Sequence, residues 1–145
     1  MLIGRREITA MIPHAGRMCL LDGVLAWDNT HISCVASSHR AADNPLAVHG
    51  RIDALCGIEY AAQAMAVHGC LVGGGKRPAA GYLASLRDVT CGVERLDLLQ
   101  DDLLATAELL IQDGPRVIYR FDLTCAAGPV LSGRAAVVID AGPPA

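Results

Sequence analysis

The clearest period in the chain runs over residues 116–125, where Val117, Tyr119, Phe121, Leu123 and Cys125 alternate with Arg116, Ile118, Arg120, Asp122 and Thr124. A two-residue period places the first set on one face of a strand and the second set on the other. Residues 81–89 and 103–111 before this segment, and 130–139 after it, also read as strands. Gln112-Asp113-Gly114-Pro115 and Ala126-Ala127-Gly128-Pro129 supply turn chemistry, so these last strands are predicted to form antiparallel hairpins. Earlier in the chain, residues 18–27 and 31–37 predict two strands joined at Asp28-Asn29-Thr30, and 43–50, broken by Pro45 and Gly50, predict a loop. Residues 52–69 are different: they are rich in Ala, Met, Gln and Leu and predict one helix, with Asp53 near its start and Gly69 at its end. That helix is apolar on most sides, the pattern of a buried element. The order of two strands, a long apolar helix and four strands predicts an α+β fold, an antiparallel sheet wrapped around one long central helix, in a single domain over residues 1–145.

Composition narrows the function classes. The chain is 52% hydrophobic and 19% charged, with a formal net charge of -3. So low a charged fraction points to extra buried surface, for which an obligate dimer interface is one explanation. No basic stripe with interleaved aromatics supports nucleic-acid binding. The N-terminal MLIGRREITAMIPH lacks the apolar run of an export signal, and no stretch approaches 18 continuous apolar residues, so neither secretion nor a membrane span is expected. Cys19, Cys34, Cys56, Cys70, Cys91 and Cys125 are scattered, without a C-x-x-C pair. That distribution fits thiols in a reducing cytoplasm better than disulfides or a zinc cluster. Gly73-Gly74-Gly75 lacks the rest of a phosphate-binding loop and reads as the end of the helix.

Glu59 is the most informative residue. It lies within the predicted apolar helix, where Leu55, Cys56, Ala62, Gln63 and Ala66 share its face. A carboxyl buried there has to be paired or protonated, as in a general acid or base; a structural acid bonded to backbone or to a tyrosine is the alternative. Gln63, one turn on, is placed to hydrogen-bond to Glu59 or to a substrate. His49 sits in the loop beside Gly50 just ahead of the helix, where backbone N–H groups at a helix start could hold a developing oxyanion and a histidine could move a proton. An ordinary loop histidine is the other reading. The ten-residue separation of His49 and Glu59 would be roughly 15 Å if wholly helical, so the two are expected to meet across a two-fold axis of a dimer. His68 falls on the opposite side of the helix from Glu59, His14 reads as structural, His31 as exposed, and His39 as a reserve candidate. No serine stands in a G-x-S-x-G elbow.

These residues resemble a known family. IPHAGRMCLLDGVL at 12–25, Asn44-Pro45, Glu59 with Gln63, GYLASLRDV at 81–89, LLQDDLL at 98–104 and GRAAVVI at 133–139 are together similar to the hot-dog-fold 3-hydroxyacyl-(acyl carrier protein) dehydratases, and most to the divergent type encoded with aryl-polyene biosynthesis. The resemblance implies a dimer, homo- or heteromeric with a related hot-dog subunit, acting on an acyl chain linked through phosphopantetheine to an acyl carrier protein. It implies a reaction in fatty-acid or polyene synthesis that needs no cofactor: a histidine removes the C2 proton of a 3-hydroxyacyl thioester and an acid from the other subunit assists loss of the 3-hydroxyl as water. Glu59 carries over to the acid. The family's histidine position is occupied by Arg40 here, which leaves His49 or His39 for that role. His49-Gly50 ahead of Glu59 also resembles hot-dog acyl thioesterases, and a non-catalytic partner subunit is a third reading. Lys76 and Arg77 could meet an acidic carrier protein, or form a solvated turn.

Overall fold

A computed structural model describes residues 1–13, 16–74 and 81–139. Its elements are β1 (Ile3–Gly4), α1 (Arg5–Met11), β2 (Gly23–Trp27), β3 (His31–Ala36), α2 (Gly57–Val72), β4 (Gly81–Cys91), β5 (Leu103–Asp113), β6 (Arg116–Cys125) and β7 (Gly128–Ile139). The strands form one antiparallel sheet in the order β1-β2-β3-β5-β6-β7-β4. Helix α2 packs on β3, β5 and β6. The predicted α+β layering of a sheet wrapped around one long helix is therefore the architecture observed.

Strand β6 keeps its period: Val117, Tyr119, Phe121 and Leu123 are buried, whereas Arg116 and Arg120 are exposed. The buried residues share one hydrophobic core with Tyr60, Ala61, Ala64, Met65 and Val67 of α2. The first turn of the helix comes so close to the sheet that a Cβ on Gly57 would stand 2.8 Å from Leu123 Cδ2. By length and hydropathy alone, Ala54–Val72 would suit a membrane crossing, but half of that window is buried inside the fold.

Three boundaries differ from the sequence expectation. The strand predicted from residue 18 begins at Gly23. Cys19, Leu20 and Leu21 are buried outside any strand, because the Leu20 N–H donates to the Gln63 side chain (2.9 Å) rather than to a neighbouring strand. The helix predicted from residue 52 begins at Gly57, after a single 3-10 turn over Ala54–Cys56. Residues ahead of it are captured by another segment: Ala54 N–H donates to Glu94 C=O (3.0 Å), Leu96 N–H to Ile52 C=O (2.8 Å), and Ile52 N–H to Asp97 Oδ1 (2.9 Å). Such tertiary pairing overrides local helix propensity. At the other end, α2 continues through Gly69 and stops at Gly73 and Gly74, the latter with φ +85°. Helix α1 was not foreseen; its anchor is Ile8, followed one turn later by Ile12, both fully buried.

Candidate active site

Starting α2 at Gly57 changes the setting of Glu59. It lies in the first turn, where a carboxylate faces the positive end of the helix dipole, and not in the helix middle. Its neighbours on the inner side, Tyr60 and Gln63, are buried, but Glu59 itself is exposed, as is Leu55 one turn earlier at 56%. The expectation that a single chain buries Glu59 is thus corrected: the inner face of α2 lies a residue further round, toward the sheet. Within this chain the carboxylate has an unobstructed outward path.

Gln63 directs its hydrogen bonds elsewhere than to Glu59. Its Oε1 accepts from Leu20 N–H (2.9 Å) and its Nε2 donates to Met18 C=O (2.7 Å), and the side chain is 1% exposed. The amide is a latch holding the segment before β2 against α2. That use of both ends departs from the expected bond to Glu59.

His49 and Gly50 form the tip of a tight turn. Val48 N–H donates to Arg51 C=O (2.9 Å) and Arg51 N–H to Val48 C=O (3.0 Å), while φ is +52° at His49 and +76° at Gly50. Two consecutive left-handed residues define the mirror-image turn that favours glycine in its second position. Histidine is among the few other residues that enter this region with some frequency. The imidazole is therefore carried outward on a fixed backbone, and His49, Gly50 and the flanking Val48 are all exposed. Gly50 lies seven residues ahead of α2, so its role here is backbone conformation; it does not contribute an N–H at the helix start.

The other histidines are differently placed. His39 sits in a 3-10 turn and is 1% exposed; the backbone of Leu99 and Asp101 is near its ring, but neither ring nitrogen makes a well-aligned hydrogen bond among the described residues. Burial, reinforced by Arg40, pushes its pKa down. His68 is fully buried between Tyr119 Oη (2.7 Å from Nδ1) and Asp28 C=O (2.8 Å from Nε2), and burial lowers its pKa as well. A carbonyl only accepts, so Nε2 carries the proton and Nδ1 accepts from the tyrosine. His31 is exposed and pairs with Glu108 (3.1 Å), which also binds Arg120 (2.8 Å). His14, Gly75, Lys76 and Arg77 lie outside the described residues.

Two features had no sequence signal beyond their residue types. One is a partly buried polar chain through Leu20, Ser38, Tyr60 and Asn44, which includes the residue next to Glu59. The other is a polar cleft of about 400 Å³ whose lining includes Arg5, Arg17, Asp22, Ser37, Arg40 and Asn44. Opposite charges largely cancel inside it, with Arg5 near Asp22 (3.8 Å) and Arg40 bound to Asp102 (2.6 Å). No trio of His, Cys, Asp or Glu among the described residues is arranged to hold a metal ion.

Comparison with known proteins follows from this geometry. A family model described as ApeP dehydratase matches residues 6–141. Among solved structures, the chain is similar to the dehydratase heterocomplex ApeI:P from Xenorhabdus doucetiae, with TM-score 0.78, 23% identity, 92% of this chain and 90% of that chain covered. It is also similar to zebra fish thioesterase superfamily member 2, with TM-score 0.66, 16% identity and coverage of 94% and 95%. A hypothetical thioesterase with coenzyme A from Streptococcus pneumoniae TIGR4 gives TM-score 0.58, 12% identity and coverage of 81% and 84%. At these identities the neighbours establish the hot-dog fold. No curated protein matches the chain.

Proposed function

The chain belongs to the ApeP-like dehydratase family, and from that premise we propose that it is one subunit of a hot-dog dimer that dehydrates 3-hydroxyacyl groups carried as thioesters on an acyl carrier protein. The observation that carries this reading is the outward presentation of Glu59 and His49 on rigid backbone, each exposed in the single chain.

Strand β4 supports a partner. It pairs with β7 on one side only, ends the sheet, and spans 11 residues, of which 83–88 are exposed on both faces. A long open edge is a template for another strand. The partner we propose is a related hot-dog chain, in keeping with the heterocomplex to which this chain is similar; a second copy is the alternative. Across the two-fold relation, His49 of one subunit and Glu59 of the other would flank the substrate. His49 takes the C2 proton; the C2–H electron pair forms the C2–C3 double bond; the C3–O bond breaks as Glu59 delivers a proton to the hydroxyl, which leaves as water. The product is a trans-2-enoyl thioester, and proton exchange with solvent resets both side chains. General acid–base groups of this kind contribute about 10²–10⁴-fold each. We place the reaction in the cytoplasm, in keeping with the free thiols of Cys19, Cys34, Cys56, Cys91 and Cys125, and in fatty-acid or aryl-polyene synthesis.

The test is to combine the chain, alone and with its companion hot-dog subunit, with a 3-hydroxyacyl carrier-protein thioester and follow the acyl mass. Loss of one water, reduced at least about 100-fold by Glu59→Gln and by His49→Asn, is expected. Asparagine tolerates the left-handed turn, so the second variant isolates the imidazole from the backbone. Release of free acid and thiol would mean a thioesterase instead. Turnover unaffected by either variant would mean a non-catalytic partner subunit.

A further inference from the structure

We propose that Asn44 and Tyr60 are positioning residues which lock the His49 turn to the helical turn carrying Glu59. This rests on the reading of His49 and Glu59 as the site and names what holds the two in register within one chain.

The hydrogen-bond directions are fixed by elimination. Ser38 Oγ lies 2.8 Å from Leu20 C=O, which only accepts, so the serine hydrogen is spent there. Tyr60 Oη, 2.8 Å from Ser38 Oγ, must then be the donor to it. The remaining capacity of the tyrosine oxygen is to accept, and Asn44 Nδ2 donates to it at 3.2 Å. The second Nδ2 hydrogen goes to Ser38 C=O (2.8 Å), and Asn44 Oδ1 accepts from Leu46 N–H (2.8 Å). Every bond in the row Asn44, Tyr60, Ser38, Leu20 points the same way, so each polarises the next.

Tyr60 and Asn44 are buried, at 0% and 6% exposure, and Ser38 between Tyr60 and Leu20 is half-buried where the row meets the polar cleft. Asn44 is also held through its backbone: its N–H donates to Ala41 C=O (3.2 Å) and its C=O accepts from Ala47 N–H (3.1 Å). From this hub the chain reaches the Val48–Arg51 turn through Pro45, Leu46 and Ala47. At the other end, Tyr60 is the residue next to Glu59. A phenylalanine would fill the same apolar slot; what the hydroxyl adds is a directional tie between loop and helix. In a two-fold assembly the His49 and Glu59 of one chain serve different composite sites, so the tie sets the geometry of both.

Tyr60→Phe removes the hydroxyl while keeping the ring. Asn44→Asp keeps an acceptor for Leu46 N–H while removing both donors. Amide hydrogen exchange and steady-state dehydration would be measured on the full chain, alone and in complex. Exchange at Leu46, Ala47, Val48 and Arg51 is expected to rise about tenfold in both variants, the effect of one lost hydrogen bond of ordinary strength, with helix amides Ala61–Val67 unchanged. The value of kcat is expected to fall by about tenfold with KM within about twofold, since positioning is lost and binding surface is not. Loop exchange that stays at the wild-type rate in both variants overturns the proposal. So does a protection loss spread evenly over loop and helix, which marks general destabilisation. If the unaltered complex does not dehydrate, the reaction assigned above fails, and the exchange measurement still decides the tie.

Discussion

Two enclosed histidines are expected to make the stability of this protein fall as the pH drops through the range just below neutrality. His68 is 0% exposed and His39 is 1% exposed, and burial holds both below the ordinary imidazole range. For His68 the geometry gives the reason. Nε2 already donates to Asp28 C=O, and a second proton on Nδ1 would have to displace the hydrogen that Tyr119 now directs at it. The tyrosine cannot relieve this by ionising, because burial pushes it up to about 12. In the unfolded chain each imidazole titrates at about 6.5. As pH falls, the unfolded state therefore takes up protons first. The stabilisation is complete above about pH 6.5, declines as pH falls through that value, and levels off once the depressed folded-state values are passed. Between pH 7.0 and 5.5 the linkage integral for a ring that stays neutral when folded is at most about 1.2 kcal/mol, or about 2.5 kcal/mol for the two. Asp97, held down to about 2 by Arg95, and Asp28, held low by the Thr30 and His31 backbone amides, lose their contributions only below about pH 4, so they do not overlap this window. Urea unfolding at fixed protein concentration, at pH 7.5, 6.5 and 5.5, measures the effect. His68→Gln retains one donor and one acceptor without a titrating ring and should remove about half of the slope. A stability that is flat or rises from pH 7.5 to 5.5, or a full slope in His68→Gln, would overturn the assignment of these two rings as buried and neutral.

Two further perturbations probe the scaffold around the site. Gln63→Leu should destabilise the fold by about 1–3 kcal/mol in denaturant unfolding, because Leu20 N–H is buried and loses the side-chain acceptor it has there. Gly133→Ala places a Cβ 2.9 Å from Phe121 Cζ and 3.3 Å from Arg87 C=O, and should cost about 1–3 kcal/mol, read as a lowered thermal midpoint with the site residues untouched.

Sequence alone carried the architecture wherever one side chain after another answers to the same buried face. The alternation in β6 and the apolar run that became α2 are each set by local period and by the need to cover one sheet face, and both appear close to where the pattern puts them. The chain also advertised Glu59, because a carboxyl in an apolar helix stands out in any reading. What the pattern could not carry is anything decided by a distant partner. Residues 52–54 have the composition of a helix, yet pair with 94–96, because the backbone groups there find strand-like partners some forty positions away. Glu59 and Gln63 sit one turn apart and look like a pair, yet one faces out and the other binds the backbone of Met18 and Leu20, since the sheet meets the helix slightly off the axis that periodicity suggests. Neither His39 nor His49 is distinguishable as enclosed or presented until the turn at Val48–Arg51 and the packing over residues 38–40 are known. Hydrophobic period is a local property and survives in the sequence; the direction of each polar side chain depends on which unpaired donor or acceptor the folded chain brings beside it, and that is settled only by tertiary structure.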